Sequence, residues 1–230
     1  MMDIYLENVM KFYGTYQDEY GLEKIHIHLA DNGHEIKIVI RDVEFIGSSF
    51  ARLSSSPAKA NLDHFVIDDE NHLCSFRIIC EMPILVIHQE QTIEGQLKMN
   101  CRVCSPEEEW EKAAYLQLTL CYNGQIVQSD WCGAGFEEEL YNLEKKLPKG
   151  IYIKACFNCR FADYNPYVNS GLMGELACFV HTEDKDVIRG KGYDGWRHPK
   201  PVLVQELHLC SQFQPNNLIL AKPWSDKPPN

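Results

Sequence analysis

The sequence predicts a mainly β protein with one amphipathic helix, an α+β chain in which an antiparallel β-sandwich or barrel-like sheet precedes a cysteine-rich C-terminal region. Three observations carry this expectation. Apolar residues alternate with polar ones through residues up to about 130. Tight-turn residues, rather than helical stretches, separate the alternating runs, which favours antiparallel over parallel pairing. Helical spacing then takes over near Gly135.

The first clear element is a hairpin over Gly21 to Phe45, where Ile25, Ile27 and Leu29 and then Ile36, Ile38 and Ile40 flank Asn32-Gly33. Asn-Gly suits a two-residue type I′ turn, and that register sets Leu29 opposite Ile36, Ile27 opposite Ile38 and Ile25 opposite Ile40. Gly47 to Asn61, centred on Ser54-Ser55-Ser56-Pro57, reads as a loop. A second strand pair is expected over Leu62 to Ile67 and Leu73 to Cys80, joined by the polar turn Asp68 to Asn71. Further strands follow at Ile84 to Gln89, Thr92 to Val103 and Tyr115 to Asn123, the last turning at Asn123-Gly124 into Gln125 to Gln128. Ser105-Pro106-Glu107-Glu108 has capping-box spacing and predicts a helical turn before Trp110. Phe136, Leu140, Leu143 and Leu147 predict a helix with acidic residues early and Lys145 and Lys146 late, ended by Pro148 and Gly150. Ile151 to Ala155 and Pro199 to Cys210 read as strands, and Lys222 to Asn230, with three prolines, as a mobile tail. The expected organisation is a β-rich region over 1–134, a helix plus cysteine-rich region over 135–221, and the tail over 222–230.

Composition narrows the classes of function. With 230 residues, 45% hydrophobic and 24% charged, the chain can build a core, which excludes a disordered or fibrous protein. Lys and Arg total 22 against 33 Asp and Glu, and the net charge of -11 repels phosphate backbones and anionic lipid, so neither nucleic acid nor a membrane is an expected partner. Asp3 and Glu7 stand where a secretory signal carries cations, and the apolar run Pro83 to Ile87 is far shorter than the ~20 residues of a spanning helix. Ten cysteines in a chain of this length fit thiols or metal ligands in a reducing, cytoplasmic setting.

Two Cys-x-x-Cys pairs differ in what their surroundings permit. Cys101 continues the alternation of Ile93, Leu97, Met99 and Val103, so it is expected in the core, and Cys104, three residues on, points to the opposite face. Cys156 and Cys159 instead lie at a strand exit, where the chain can form the knuckle that turns two thiolates toward one ion. Cys178 and Cys210 are the cysteines downstream and complete a C-x2-C-x18-C-x31-C pattern, with His181 and His208 as substitutes. A thioredoxin-like reading needs a helix opening at Cys156, and Asn165-Pro166, Asn169 and Gly171 argue against one. His26 and His28 share a strand face, but the hairpin register places them opposite Val39 and Lys37, as on a solvated face. Asp68-Asp69-Glu70 reads as a polar turn rather than a calcium loop. No phosphate loop, nucleophile elbow or His-Glu-x-x-His occurs.

The run Leu147-Pro148-Lys149-Gly150-Ile151-Tyr152-Ile153-Lys154-Ala155-Cys156-Phe157-Asn158-Cys159, continued by Asp163-Tyr164-Asn165-Pro166-Tyr167, resembles a family of uncharacterised bacterial proteins classed as a domain of unknown function. Gly171-Leu172-Met173-Gly174, Cys178-Phe179 and Gln205-Glu206-Leu207-His208-Leu209-Cys210 are similar as well, so the likeness covers about the last 100 residues. The resemblance implies that Cys156, Cys159, Cys178 and Cys210 belong to one motif; it implies no activity. Four thiolates would close zinc's coordination, so the expected function is a non-catalytic binding protein with a structural zinc site. An immunity-type neutraliser of a partner with a basic surface fits the acidic charge. The alternative is a thiol oxidoreductase or a zinc-dependent hydrolase.

Overall fold

A computed structural model describes residues 10–29, 35–56, 61–105, 107, 114–130, 135–164, 175–181 and 202–216. Its centre is a ten-stranded antiparallel sheet. The first nine residue runs along the chain are β1 (Met10–Asp18), β2 (Gly21–Leu29), β3 (Ile36–Ile40), β4 (Val43–Gly47), β5 (Ser54–Ser56), β6 (Val66–Ile67), β7 (Leu73–Cys74), β8 (Phe76–His88) and β9 (Gln91–Val103). Then come β10 (Ala114–Tyr122), β11 (Gln125–Gln128), α1 (Phe136–Lys146), β12 (Ile151–Ile153), β13 (Ala162–Tyr164), β14 (Glu175–Cys178) and β15 (Val202–Gln205). The sheet order is β11-β10-β9-β8-β1-β2-β3-β4-β5, with β12 also paired to β8, and none of the sheets closes into a barrel. β13, β14 and β15 form a separate three-stranded sheet, and β6 pairs with β7. The α+β class read from the sequence is the class observed.

Alternation explains the large sheet. Ile25, Ile27 and Leu29 on β2 face Ile36, Ile38 and Ile40 on β3, and all six are buried, with the predicted pairs Leu29↔Ile36 and Ile27↔Ile38. The same period two buries Ile78, Cys80, Met82, Ile84 and Val86 along β8 and Leu97, Met99, Cys101 and Val103 along β9. At ~25 cal/mol per Å² of apolar surface removed from water, this continuous inner face is the main source of stability. The sheet curls, because a 3-10 turn at Phe50–Arg52, just past β4, reaches β9 well across the strand order. Gly14 permits the close approach of β1 to β8, since a Cβ there would lie 2.6 Å from the Ile79 carbonyl oxygen.

Several predicted boundaries move, each for a local reason. Gly47 to Asn61 holds the 3-10 turn and edge strand β5 rather than loop alone, anchored by the buried Phe50 and Leu53. Leu73 to Cys80 is broken at Ser75, whose φ of 56° kinks the chain while its N–H donates to the Cys104 carbonyl at 3.1 Å. β8 runs unbroken through Pro83, which pairs with Gln96 on β9. On the other edge Pro83 falls between Glu81, the last partner of β1, and Val86, the last partner of β12, so its missing donor interrupts neither ladder. Of the Pro199 to Cys210 strand, the described part is strand over β15 and leaves it at Glu206, while 199–201, the Asn32-Gly33 turn, the turn before Trp110 and the 222–230 tail lie outside the described residues.

A charged cluster fixes the β3–β4 turn. Arg41 and Asp42 both have positive φ, 48° and 62°. From there Arg41 donates Nη1 and Nη2 to Asp18 Oδ2 and Oδ1 at 2.7 and 2.6 Å and Nη1 to the His64 carbonyl at 2.7 Å. Tyr16 adds a hydrogen bond from its hydroxyl to Asp18 at 2.9 Å. Burial works to raise the Asp18 carboxyl, but the hydrogen bonds from Arg41 and Tyr16 and the Arg41 charge outweigh it and hold it below its ordinary value.

The helix follows its prediction closely. Phe136, Leu140 and Leu143 are buried as α1 packs over β10 and β11, and Gly150 with φ 86° turns the chain into β12. One continuous apolar core joins the large sheet, α1, β12, and the segment holding Cys156, Cys159, Leu176 and Leu207.

Candidate metal centre

β12 delivers the chain to the knuckle. Ala155 is extended, a 3-10 turn covers Cys156–Asn158, and the Cys159 N–H closes it on the Cys156 carbonyl at 3.0 Å. The first half of the knuckle is tied to the chain past β15: the Cys156 N–H donates to the His208 carbonyl at 3.2 Å and the Phe157 N–H to the Glu206 carbonyl at 3.0 Å. Its second half meets the residues after Cys210, with Cys159 bridged to Pro215, Arg160 N–H to the Gln214 carbonyl at 2.9 Å, and Asn216 N–H to the Asn158 carbonyl at 3.0 Å. Cys178 ends β14, opposite Ala162 on β13 and Val202 on β15. The small sheet therefore folds the third and fourth cysteines back toward the first two.

Backbone donors meet two of the sulfurs. Cys210 Sγ accepts the Gln212 N–H at 3.3 Å, and Cys178 Sγ accepts the Val180 N–H, the same i to i+2 relation. Cys156 and Cys159 are 1% and 4% exposed. Burial pushes the Cys156 thiol well above its ordinary range, and negative charge on Cys178, Cys159 or Cys210 would push it further. Cys178 is raised by burial against the Val180 N–H, with Cys159 and Cys210 again adding to the rise. Cys156 thus lies within range of charge on the other three, and Cys178 within range of Cys159 and Cys210. They converge without forming, among the described residues, a group of three or more His, Cys, Asp or Glu side chains arranged to hold a metal ion.

The other sequence candidates are placed apart from this cluster. Cys101 is 2% exposed on β9 between Ile78 and Leu116, with its thiol pushed up by burial, as a core residue should be. Cys104 is buried too, beyond the end of β9. His208 is half-buried and burial lowers its pKa, while His181 is exposed. His26 stacks edge-on against Tyr13 with ring centroids 4.8 Å apart, and His28 faces Lys37 as the register predicted. Asp68 Oδ1 accepts the N–H groups of Glu70 and His72 at 2.9 and 2.8 Å, a polar turn closed by its own side chain.

Two residues beside the cluster escaped sequence reasoning. Glu144 on α1 accepts Asn158 Nδ2 at 2.7 Å, so the helix grips the residue between Cys156 and Cys159. Burial pushes its carboxyl up to about 8, against the hydrogen bonds from Ile153 and Asn158. Its signal was its position four residues after Leu140, on the apolar stripe of the helix. The Tyr164 hydroxyl donates to Glu206 Oε1 at 2.6 Å, tying β13 to the segment that runs to Cys210.

A family of unknown function (DUF6304) matches residues 10–162. The matched span takes in the large sheet, α1, β12, Cys156 and Cys159, and stops before Cys178 and Cys210. The resemblance read from the C-terminal segments overlaps it only from α1 to Ala162. No curated protein and no solved structure matches the chain. Among the described residues, no helix is long and apolar enough to cross a membrane.

Proposed function

The chain belongs to this family of unknown function, and we propose that it is a non-catalytic binding protein whose C-terminal region is organised by one structural zinc ion on Cys156, Cys159, Cys178 and Cys210. The observation that carries the proposal is the convergence of four thiols from three separate chain segments, through the Cys156–Asn158 turn and the pairing of β13, β14 and β15. The donor set fits: thiolates are soft ligands that zinc takes tetrahedrally with bonds of about 2.3 Å. Four thiolates on Zn²⁺ leave a buried net negative charge, which the Val180 and Gln212 N–H groups offset at Cys178 and Cys210.

The same features weigh against the enzymatic readings. A redox thiol is accessible and has a depressed pKa, whereas Cys156 is 1% exposed and raised, and it opens a three-residue turn instead of a helix. A zinc hydrolase leaves one coordination position for water, and four cysteines fill it. A cytoplasmic setting belongs to this reading because reducing conditions keep the thiols available to metal. The four-cysteine motif of the resembled bacterial family belongs to it as well. The net charge of -11 favours a protein partner with a basic surface, as for an immunity-type neutraliser.

Metal analysis of the full chain, purified under reducing conditions, tests the site. About one zinc per chain is expected, reduced by Cys→Ser at each of the four positions and retained in Cys74→Ser. Zinc-free protein, or zinc unaffected by those four substitutions, would overturn it.

A further inference from the structure

A second feature lies on the outer face of the large sheet, where β1, β2 and β3 turn toward solvent the side chains that alternate with the core. Three rows of side chains cross these strands. In the first, Lys11, His28 and Lys37 stand opposite one another. Tyr13 and His26 form the second, with ring centroids 4.8 Å apart, and Thr15 and Lys24 form the third. This gathering of cations runs against a chain whose net charge is -11.

The first row is unfavourable by itself. Directly opposed side chains on an antiparallel pair have Cβ atoms roughly 5 Å apart, and like charges in that relation are destabilising. Burial, and then the charges of Lys11, His26 and Lys37, hold the His28 imidazole below its ordinary pKa, so the members of the row feel one another. Glu44 on β4 answers one of them through an ion pair with Lys37. Lys11 and Lys24 are exposed and have no ion pair among the described residues. Glu81 on β8 stands opposite Tyr13, but it accepts Gln96 Nε2 at 2.9 Å and faces Lys98, both on the β9 side. Between the two unanswered lysines the surface is apolar, with Tyr13 71% exposed and Val39 on β3 47% exposed.

The spacing of the rows selects a ligand. Successive rows lie two residues apart along β1 and β2, so the Lys11 and Lys24 rows are separated by roughly 13 Å at ~3.3 Å per residue. An extended peptide repeats its side chains on one face at the same interval. We propose that this face binds a short, extended acidic segment of a partner protein, with carboxylates four residues apart on Lys11 and Lys24 and an apolar side chain midway on Tyr13. A nucleic-acid strand would carry its phosphates past the patch into the field of an acidic chain. A short peptide feels chiefly the local cations, because charges beyond ~8 Å are screened at physiological salt. This surface is separate from the four cysteines, and its ligand carries the opposite charge to the partner proposed above.

NMR titration of the full chain at low ionic strength with the acetylated, amidated peptide Glu-Asp-Phe-Asp-Glu tests this. Saturable shifts are expected at the amides of β1 and β2. Binding should weaken about fivefold in the double variant Lys11→Gln, Lys24→Gln, which removes two exposed charge pairs. On the wild-type chain, an arm that needs no substitution, the uncharged peptide Gln-Asn-Phe-Asn-Gln should bind about tenfold more weakly than the acidic one. Absence of saturable shifts at β1 and β2, equal binding of the two peptides, or binding unchanged in the double variant would overturn the proposal. Tighter binding of an oligothymidylate of the same charge would overturn it in favour of nucleic acid.

Discussion

Glu144→Gln should stabilise the protein at alkaline pH and do almost nothing near pH 5. The carboxyl sits on the apolar face of α1, where it accepts Asn158 Nδ2 at 2.7 Å, and burial lifts its pKa from 4.5 to about 8. Between those two values the folded chain holds a proton that the unfolded chain has released, so stability falls as pH rises. The contribution is complete below pH 4.5 and lost by about pH 8. Moving a carboxyl over that interval corresponds to at most about 5 kcal/mol, and a gain of roughly 2 to 5 kcal/mol is expected for the glutamine variant at pH 9. Near pH 5 the protonated acid and the amide are near isosteres, and both can accept the Asn158 amide. Denaturant unfolding of both proteins in the same metal-containing buffer, followed across pH 5 to 9, isolates the effect because every other titrating group is shared. A stability difference that stays constant with pH, or that turns against the variant as pH rises, would refute the argument.

Arg41→Ala should cost about 3 kcal/mol in denaturant unfolding, because it strands an Asp18 side chain that is 1% exposed. A loss below about 1 kcal/mol would mean that water reaches the carboxylate. Lowering the pH should narrow the gap between the two proteins, since the depressed Asp18 carboxyl contributes stability above its unfolded pKa and loses it on protonation. Cys101→Ala should cost on the order of 1 kcal/mol and leave zinc content unchanged, whereas loss of stoichiometric metal would identify the wrong cysteine pair as the ligands. Chelation under reducing conditions should raise amide hydrogen exchange in β13, β14 and β15 before β8 and β9; simultaneous exchange of both sheets would contradict a local role for the metal.

Where a burial pattern is repeated along the chain, the fold was legible in the sequence. Ile25 to Ile40 revealed pairing and register together, because a slip by one residue would turn all six apolar side chains to solvent. Turn chemistry was legible only where it used its commonest residues. Asn123-Gly124 announced a hairpin, but Arg41-Asp42 and Gln89-Glu90 adopt the same positive-φ pairs without Asn or Gly. At Arg41 the distant side chain of Asp18 holds the turn, an interaction that spans 23 residues and leaves no local signature. The cysteine spacing marked Cys156, Cys159, Cys178 and Cys210 as a candidate set. It could not identify Glu144, whose place on the apolar stripe acquires meaning only when β12 brings Asn158 beneath α1.

The two sheets differ in what can hold them. The large sheet buries an unbroken apolar face from β4 to β10, and its strands of up to 13 residues each carry several core side chains. The small sheet has strands of 3 to 4 residues, too few alternations to build a core of its own. Its attachments include backbone hydrogen bonds at Cys156, Phe157, Arg160 and Asn216, the Tyr164–Glu206 contact, and apolar residues such as Ala162, Leu176 and Leu207 that join the main core. Ordering a residue costs ~1 to 2 kcal/mol of backbone entropy, so strands this short depend on such attachments to stay ordered. A structural zinc contributes ~10 to 16 kcal/mol of apparent binding energy in small peptides near neutral pH, part of it consumed by folding. A fraction of that, applied where Cys156 and Cys159 meet Cys178 and Cys210, would hold the small sheet without enlarging the core. On the zinc reading proposed above, the four cysteines lie beside strands of 3 to 4 residues, while Cys80 and Cys101 serve as apolar side chains within the longest strands.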